Sequence, residues 1–124
     1  VAVRAVRGAT HLERDDRDHV LARTRELLRQ ILAGNDLAAD DLISVLFTAT
    51  PDIASVAPAL AARQLGLDDV ALICVQEMAV VGSMPRVVRL VAHVETSRTN
   101  AEIANVYLHG TQMLRVDVPP IREE

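Results

Sequence analysis

The chain has 124 residues and a net charge of −4, with half of its residues hydrophobic and only 2% aromatic. That length suits a single domain, 1–124, whose interior must be built from Val, Leu, Ile and Ala and is small enough to leave apolar surface for other subunits to cover. The acidic balance excludes a duplex nucleic-acid binder with a basic face, the apolar runs break well short of the roughly 20 residues that span a bilayer, and a lone cysteine, Cys74, excludes an intrachain disulfide and favours a reducing, cytoplasmic setting.

Val1 to Arg7 alternates as a strand does, with Val1, Val3, Ala5 and Arg7 on one parity. Arg7 ends that apolar face, and Gly8 after it allows either a bend or a close approach. From about Asp16 to Ala33 the period changes: Val20, Leu21, Thr24, Leu27, Leu28, Ile31 and Leu32 form one helical stripe, and Arg23, Arg25, Glu26 and Arg29 the solvated remainder. Asp15, Asp16 and Asp18 suit the positive start of that helix, Gly34 and Asn35 its end. Leu42 to Thr50 is apolar on both parities, the pattern of a strand covered on both sides, and Thr50-Pro51-Asp52 breaks it. Pro58 opens a short helix, Ala59 to Leu65, that Gly66 ends.

Val70 to Gln76 is a second apolar strand, closed by Glu77, and Ala79 to Pro85 reads as a loop through Gly82. Arg86 to Glu95 is the longest strand, with Val87, Arg89, Val91 and His93 on one face and Val88, Leu90, Ala92 and Val94 on the other. Thr99 and Asn100 cap a short helix through Ala104, Tyr107 follows, and Gln112 to Val116 is expected as a last strand. Pro119-Pro120 ends ordered structure, so that about 117–124 forms a flexible tail.

The familiar signatures are missing. Gly8, Gly34, Gly66, Gly82 and Gly110 are isolated, so no phosphate-binding loop is present. His11, His19, His93 and His109 have no metal-ligand spacing, no serine sits in a nucleophile elbow, and Cys74 in an apolar strand reads as a small hydrophobe. What stands out is a set of arginines, one glutamate and one tyrosine on otherwise apolar elements: Arg7, Arg63, Glu77, Arg89, Tyr107 and Arg115. A charge on an apolar strand is costly to bury unless it is paired, and Glu77 is the natural partner for Arg89. Guanidinium groups also grip carboxylates in forked geometry, so the same set suits a small, multiply anionic ligand. Taken singly, Arg7 reads equally as a surface arginine, and Arg63 reads better as one than as a ligand group.

These residues carry a resemblance. VRGAT at 6 to 10, ERD at 13 to 15, ATPD at 49 to 52, CVQEM at 74 to 78, the strand around Arg89, VYL at 106 to 108 and LR at 114 to 115 follow one another along nearly the whole chain. In order and spacing they resemble the trimeric, barrel-like class of chorismate mutase. The resemblance implies an α+β fold, a mixed sheet with a long amphipathic helix, assembling as a homotrimeric pseudo α/β barrel with active sites between subunits. It implies conversion of chorismate to prephenate, on the way to phenylalanine and tyrosine, with no cofactor and no metal. By analogy Arg89 is the electrostatic catalyst at the ether oxygen and Glu77 faces the ring. Arg7 and Tyr107 hold a carboxylate, while Ile73, Cys74, Val75 and Gln76 line the ring site. Arg63 and Arg115 stand at the cleft mouth and Leu114 packs on the ligand. Ala57 and Leu60 depart from the pattern, where an aromatic residue and a lysine are usual, which implies a more open and less positive mouth. Two other readings of the same residues are a trimeric imine or enamine deaminase of similar architecture, with Glu77 positioning water, and a non-catalytic trimer that binds an anionic metabolite.

Overall fold

Val20, Leu21, Thr24, Leu27, Leu28 and Ile31 recur at the spacing of one helical face. In the structure, a computed structural model that describes residues 1–115, all six are buried on one side of α1 (Arg17–Gly34). The Asp16 carboxylate accepts the His19 backbone N–H at 3.1 Å and so satisfies one of the free amides at the helix start. At the other end Asn35, almost wholly buried, donates to the Ile31 carbonyl at 3.0 Å.

Five strands form one sheet: β1 (Ala2–His11), β2 (Leu42–Ala49), β3 (Ala71–Gln76), β4 (Val87–Thr96) and β5 (Val106–Tyr107), in the order β3-β2-β4-β1-β5. β4 runs antiparallel to both β1 and β2, whereas β2 pairs parallel with β3 and β1 with β5. The sheet is therefore mixed, as expected. Parallel neighbours need a crossover, and α2 (Ala59–Gln64) lies on the one between β2 and β3.

Strand alternation sorts the two faces. Val6, Val45, Phe47, Val88, Leu90, Ala92 and Val94 point toward the helices and join Leu27, Leu28 and Ile31 in one core. Phe47, fully buried there, is worth about 1.5–3 kcal/mol relative to exposure. Neither α1 nor α2 covers the opposite face. Ile73 is 57% exposed, Val75 42% and Leu46 37%, so β2 and β3 are covered on one side only, where the two-sided apolar pattern of β2 predicts cover on both. A bulge between Leu42 and Ser44 resets the parity of β2, keeping Leu42 in the core beside Val94 and turning Ser44 to His93 on the open side.

The short helix expected through Ala104 is a 3-10 turn, Asn100–Glu102, and two further elements differ from expectation. β1 does not stop at Arg7 but continues to His11, because Gly8, Ala9 and Thr10 keep pairing with β4. All three are buried, which erases the alternation that marks the earlier part of the strand in the sequence. Gly8 serves close approach rather than a bend: a Cβ there would lie 2.9 Å from Ile31 Cδ1 and 3.3 Å from the Val106 carbonyl oxygen. At the other end of the described chain, Thr111–Arg115 is a 3-10 helix, not a strand. His109 and Gly110, at φ 53° and 87°, turn the chain away after β5. The fully buried Thr111 hydroxyl then donates toward the Leu108 and Ala9 carbonyls at 2.8 and 3.1 Å, fixing the turn against β1. Val116 and the expected tail, 117–124, lie outside the described residues, as does the placement of the Arg115 side chain. No helix among the described residues is long and apolar enough to cross a membrane.

Candidate active site

Residues directly opposed in a sheet point to the same face. The register sets Arg89 opposite Thr48 on one side and Ala9 on the other, Val91 opposite Leu46 and Arg7, and Ala9 opposite Tyr107. Arg7, Leu46, Thr48, Arg89, Val91 and Tyr107 thus share the open face, and together with Glu77 they line a cavity of about 300 Å³. Glu77 reaches it from the end of β3, where its backbone N–H donates to the Ala49 carbonyl at 2.9 Å. Strands lie about 4.8 Å apart, and β2 separates β3 from β4, so the two side chains must stretch across β2 to meet. They do, beside Thr48: Arg89 Nη1 donates to Glu77 Oε1 at 3.3 Å.

That single contact uses one of the five guanidinium donors. The Arg89 side chain is 43% exposed and that of Glu77 29%, so the pair is half-solvated. The several-kcal/mol penalty for breaking a fully buried pair applies only in part, and either partner can turn to a ligand at moderate cost. The Arg7 guanidinium has no hydrogen-bond or ion-pair partner among the described residues; its backbone N–H is held by Asn105 Oδ1 at 2.8 Å. The cavity therefore offers an unengaged cation, a loosely paired one, a carboxylate and a phenol. This is a donor-rich site for an anion, with Glu77 the one negative group among the described residues that line it.

Two clamps that the sequence does not announce hold this wall in place. Asn35 clamps the end of α1 to the segment before β5, donating to the Ala104 carbonyl at 2.9 Å and accepting the Ala104 N–H at 2.8 Å. Together with Asn105 this sets Tyr107 beside β1. At the start of β4, Asp52 accepts the Arg86 backbone N–H at 3.2 and 3.0 Å and the Thr50 hydroxyl at 2.5 Å, while Thr50 Oγ1 accepts the Val87 N–H at 3.0 Å. The ATPD run is thus a clamp that pins both ends of the loop from Glu77 to Arg86. The only advance signal was the capping chemistry of Thr and Asp.

The remaining candidates fall elsewhere. A larger cavity of about 700 Å³ shares Glu77 and Arg89 and is lined by Met78, Met84, Met113 and Leu114. Cys74, Val75 and Gln76 line a third, of about 260 Å³, with Ala57. The Cys74 sulfur accepts the Ala59 N–H at 3.3 Å, and burial pushes its thiol above the usual range, which suits a wall group rather than a nucleophile. Ile73 lies open on the edge strand. Arg63 donates to the Leu67 and Asp68 carbonyls at 2.7 and 2.9 Å, closing the turn after α2, and lines none of these three cavities. Among the described residues no three His, Cys, Asp or Glu side chains group as metal ligands.

Known proteins show the same arrangement of sequence and fold. The family model described as chorismate mutase type I matches residues 3–118. The chorismate mutase AroH of Bacillus subtilis (strain 168) is 38% identical over 117 residues, which is 94% of this chain and 92% of that protein. AroH of Thermus thermophilus is 39% identical over 117 residues, covering 94% and 96%. Among solved structures, a chorismate mutase from Clostridium thermocellum superposes with a TM-score of 0.87 at 38% identity, covering 89% of this chain and 98% of that one. Likeness in both sequence and fold extends over the strands that build the Arg7–Glu77–Arg89–Tyr107 cavity, and the chain belongs to the type I chorismate mutase family.

Proposed function

We propose that this chain is a chorismate mutase, an isomerase that rearranges chorismate to prephenate in aromatic amino acid biosynthesis. The observation that carries the reading is the convergence of Arg7, Glu77, Arg89 and Tyr107 on one cavity in a member of this family. The reaction breaks one C–O bond and makes one C–C bond within a single molecule. Atoms and electrons balance without a nucleophile, a proton donor, a cofactor or a metal.

Such a reaction sets a site two tasks: holding the enolpyruvyl side chain over the ring, and stabilising charge that separates along the lengthening ether bond. Arg7 and Tyr107 grip a carboxylate and select the compact conformer. Arg89 turns from Glu77 to the ether oxygen, meeting negative charge where it develops, and Glu77 faces the ring and its hydroxyl, balancing the positive side. An acceleration of about a millionfold corresponds to roughly 8 kcal/mol of preferential transition-state binding, which one preorganised donor and its helpers can supply.

One chain is half of this site. Cys74, Val75 and Gln76 lie on the outer strand of the sheet and Arg63 lies in the last turn of α2, away from the Arg89 cavity. The sheet face that carries the cavity is bare and apolar around Leu46, Ile73 and Val75. Both features fit a homotrimer in which the β3 edge of one copy closes over the Arg89 face of the next, with Leu114 and Arg115 at the rim. A lone cysteine kept as a thiol fits a cytoplasmic enzyme.

The test is the loss of the chorismate diene absorbance with purified protein, with prephenate identified by acid conversion to phenylpyruvate. Saturable turnover without added metal or cofactor is the expected result. A folded protein that leaves chorismate untouched but hydrolyses an imino acid would replace this reading with the deaminase one.

A further inference from the structure

Thr48 is the polar side chain of the cavity wall that the mechanism above leaves without a task. Its hydroxyl oxygen is shielded from solvent and has no hydrogen-bond partner among the described residues. An orphaned hydroxyl opposes folding, and where one persists in a folded protein a functional reason is to be sought. The position supplies one. Thr48 stands directly opposite Arg89 in the β2–β4 register, on the same face. The Arg89–Glu77 pair crosses β2 beside it, and all three side chains line the same cavity.

We propose that Thr48 is a positioning residue for Arg89: when substrate draws the guanidinium away from Glu77, the Thr48 hydroxyl accepts one of its N–H groups and fixes the plane of the fork. The inference rests on the mutase reading. A guanidinium presents five donors in one rigid plane, so aiming one edge at a carboxylate and an ether oxygen leaves other donors turned back toward the strand. An acceptor on that side decides the angle of the plane. Threonine suits the task because its branched Cβ restricts χ1, so the oxygen stays where the strand holds it. In the structure Glu77 takes the guanidinium at 3.3 Å, which accounts for the hydroxyl being left over.

Thr48→Val removes the hydroxyl at nearly constant volume, and Thr48→Ser keeps it. With turnover of the wild-type chain established first, Thr48→Val should lower kcat by about tenfold, the scale of one hydrogen bond to a charged group, while KM stays within about twofold because ground-state binding rests on Arg7 and Tyr107. Its Tm should equal or exceed that of the wild type, since no described residue bonds to the lost oxygen. Thr48→Ser should keep activity within about twofold, by the same hydrogen bond. Unchanged kcat in Thr48→Val, an equal loss in Thr48→Ser, or a lower Tm in Thr48→Val would each overturn the proposal. Turnover absent from the wild type itself would fail the mutase reading, and this inference with it, whereas turnover equal in wild type and Thr48→Val fails the inference alone.

Discussion

Arg89 is held by one 3.3 Å contact to Glu77 on a half-exposed face, so its value lies in what it can reach rather than in what it stabilises. Truncating it should therefore cost activity far more than fold. Loss of a single preorganised donor removes about 3–4 kcal/mol of transition-state binding, and we expect Arg89→Ala to lower turnover at least about a hundredfold with the melting temperature nearly unchanged; steady-state kinetics beside a thermal melt would check both. Arg89→Lys should also fail, because one ammonium cannot reproduce a planar fork that meets two acceptors at fixed angles. Glu77 and Arg89 were both legible as charges on apolar strands, and their pairing followed from the cost of burying either alone. Arg63 was legible only as an arginine. Its two carbonyl acceptors after α2 come from chain geometry that no spacing rule encodes.

At the scale of elements, the joint of β1, α1 and β5 sets the distance between Arg7 and Tyr107. Gly8 is the contact point, with Ile31 and Leu27 of α1 on one side and the Val106 carbonyl on the other. The apolar side-chain ends can shift, but the carbonyl belongs to a paired strand. Gly8→Ala should accordingly destabilise by about 1–3 kcal/mol, the usual cost of overpacking, read as a lower urea midpoint, and should raise KM by displacing β5. A second tie joins the start of α1 to the loop before α2. The Asp15 carboxylate lies below its ordinary pKa, chiefly through a hydrogen bond from the Ser55 side chain and then through the backbone N–H groups of Ala54 and Ser55. A depressed folded-state pKa means stability that is fully present above the unfolded value of about 3.9 and is lost as pH falls through the lower folded value. Wild-type protein should thus be more stable than Asp15→Asn at neutral pH, with the gap closing as pH is taken from about 5 toward about 2. Denaturant titrations across that range measure it, and a gap independent of pH would show that the carboxylate charge contributes nothing.

For the whole molecule, the deciding feature is a sheet with α1 and α2 on one side only. Leu46, Ile73 and Val75 on the bare side fit the proposed homotrimer, in which a second copy supplies the cover that the two-sided apolar pattern of β2 predicts. Sedimentation equilibrium should give three times the 13.5 kDa of the chain. Ile73→Asp should lower both the mass and the turnover together, because a charge in an apolar interface opposes assembly and, in the proposed trimer, the β3 edge completes the neighbouring site. A monomer with full activity would refute the shared site.

The long helix, the β4 alternation and the strand-ending Glu77 were determined by sequence alone, since each depends on the local period with which a backbone presents its side chains. The resemblance carried by VRGAT, CVQEM and the residues around Arg89 pointed to the reaction on the same local grounds. Tertiary structure alone decided that Arg7 and Tyr107 share a wall, that Gly8 is a contact rather than a bend, that Thr111–Arg115 coils instead of pairing, and that Thr48 stands beside the Glu77–Arg89 pair. Each of these depends on contacts between distant segments, the Arg7–Tyr107 wall and the place of Thr48 on strand register and the others on packing against β1. Register is fixed by which faces must be buried together, a property of the folded sheet and not of any one stretch within it.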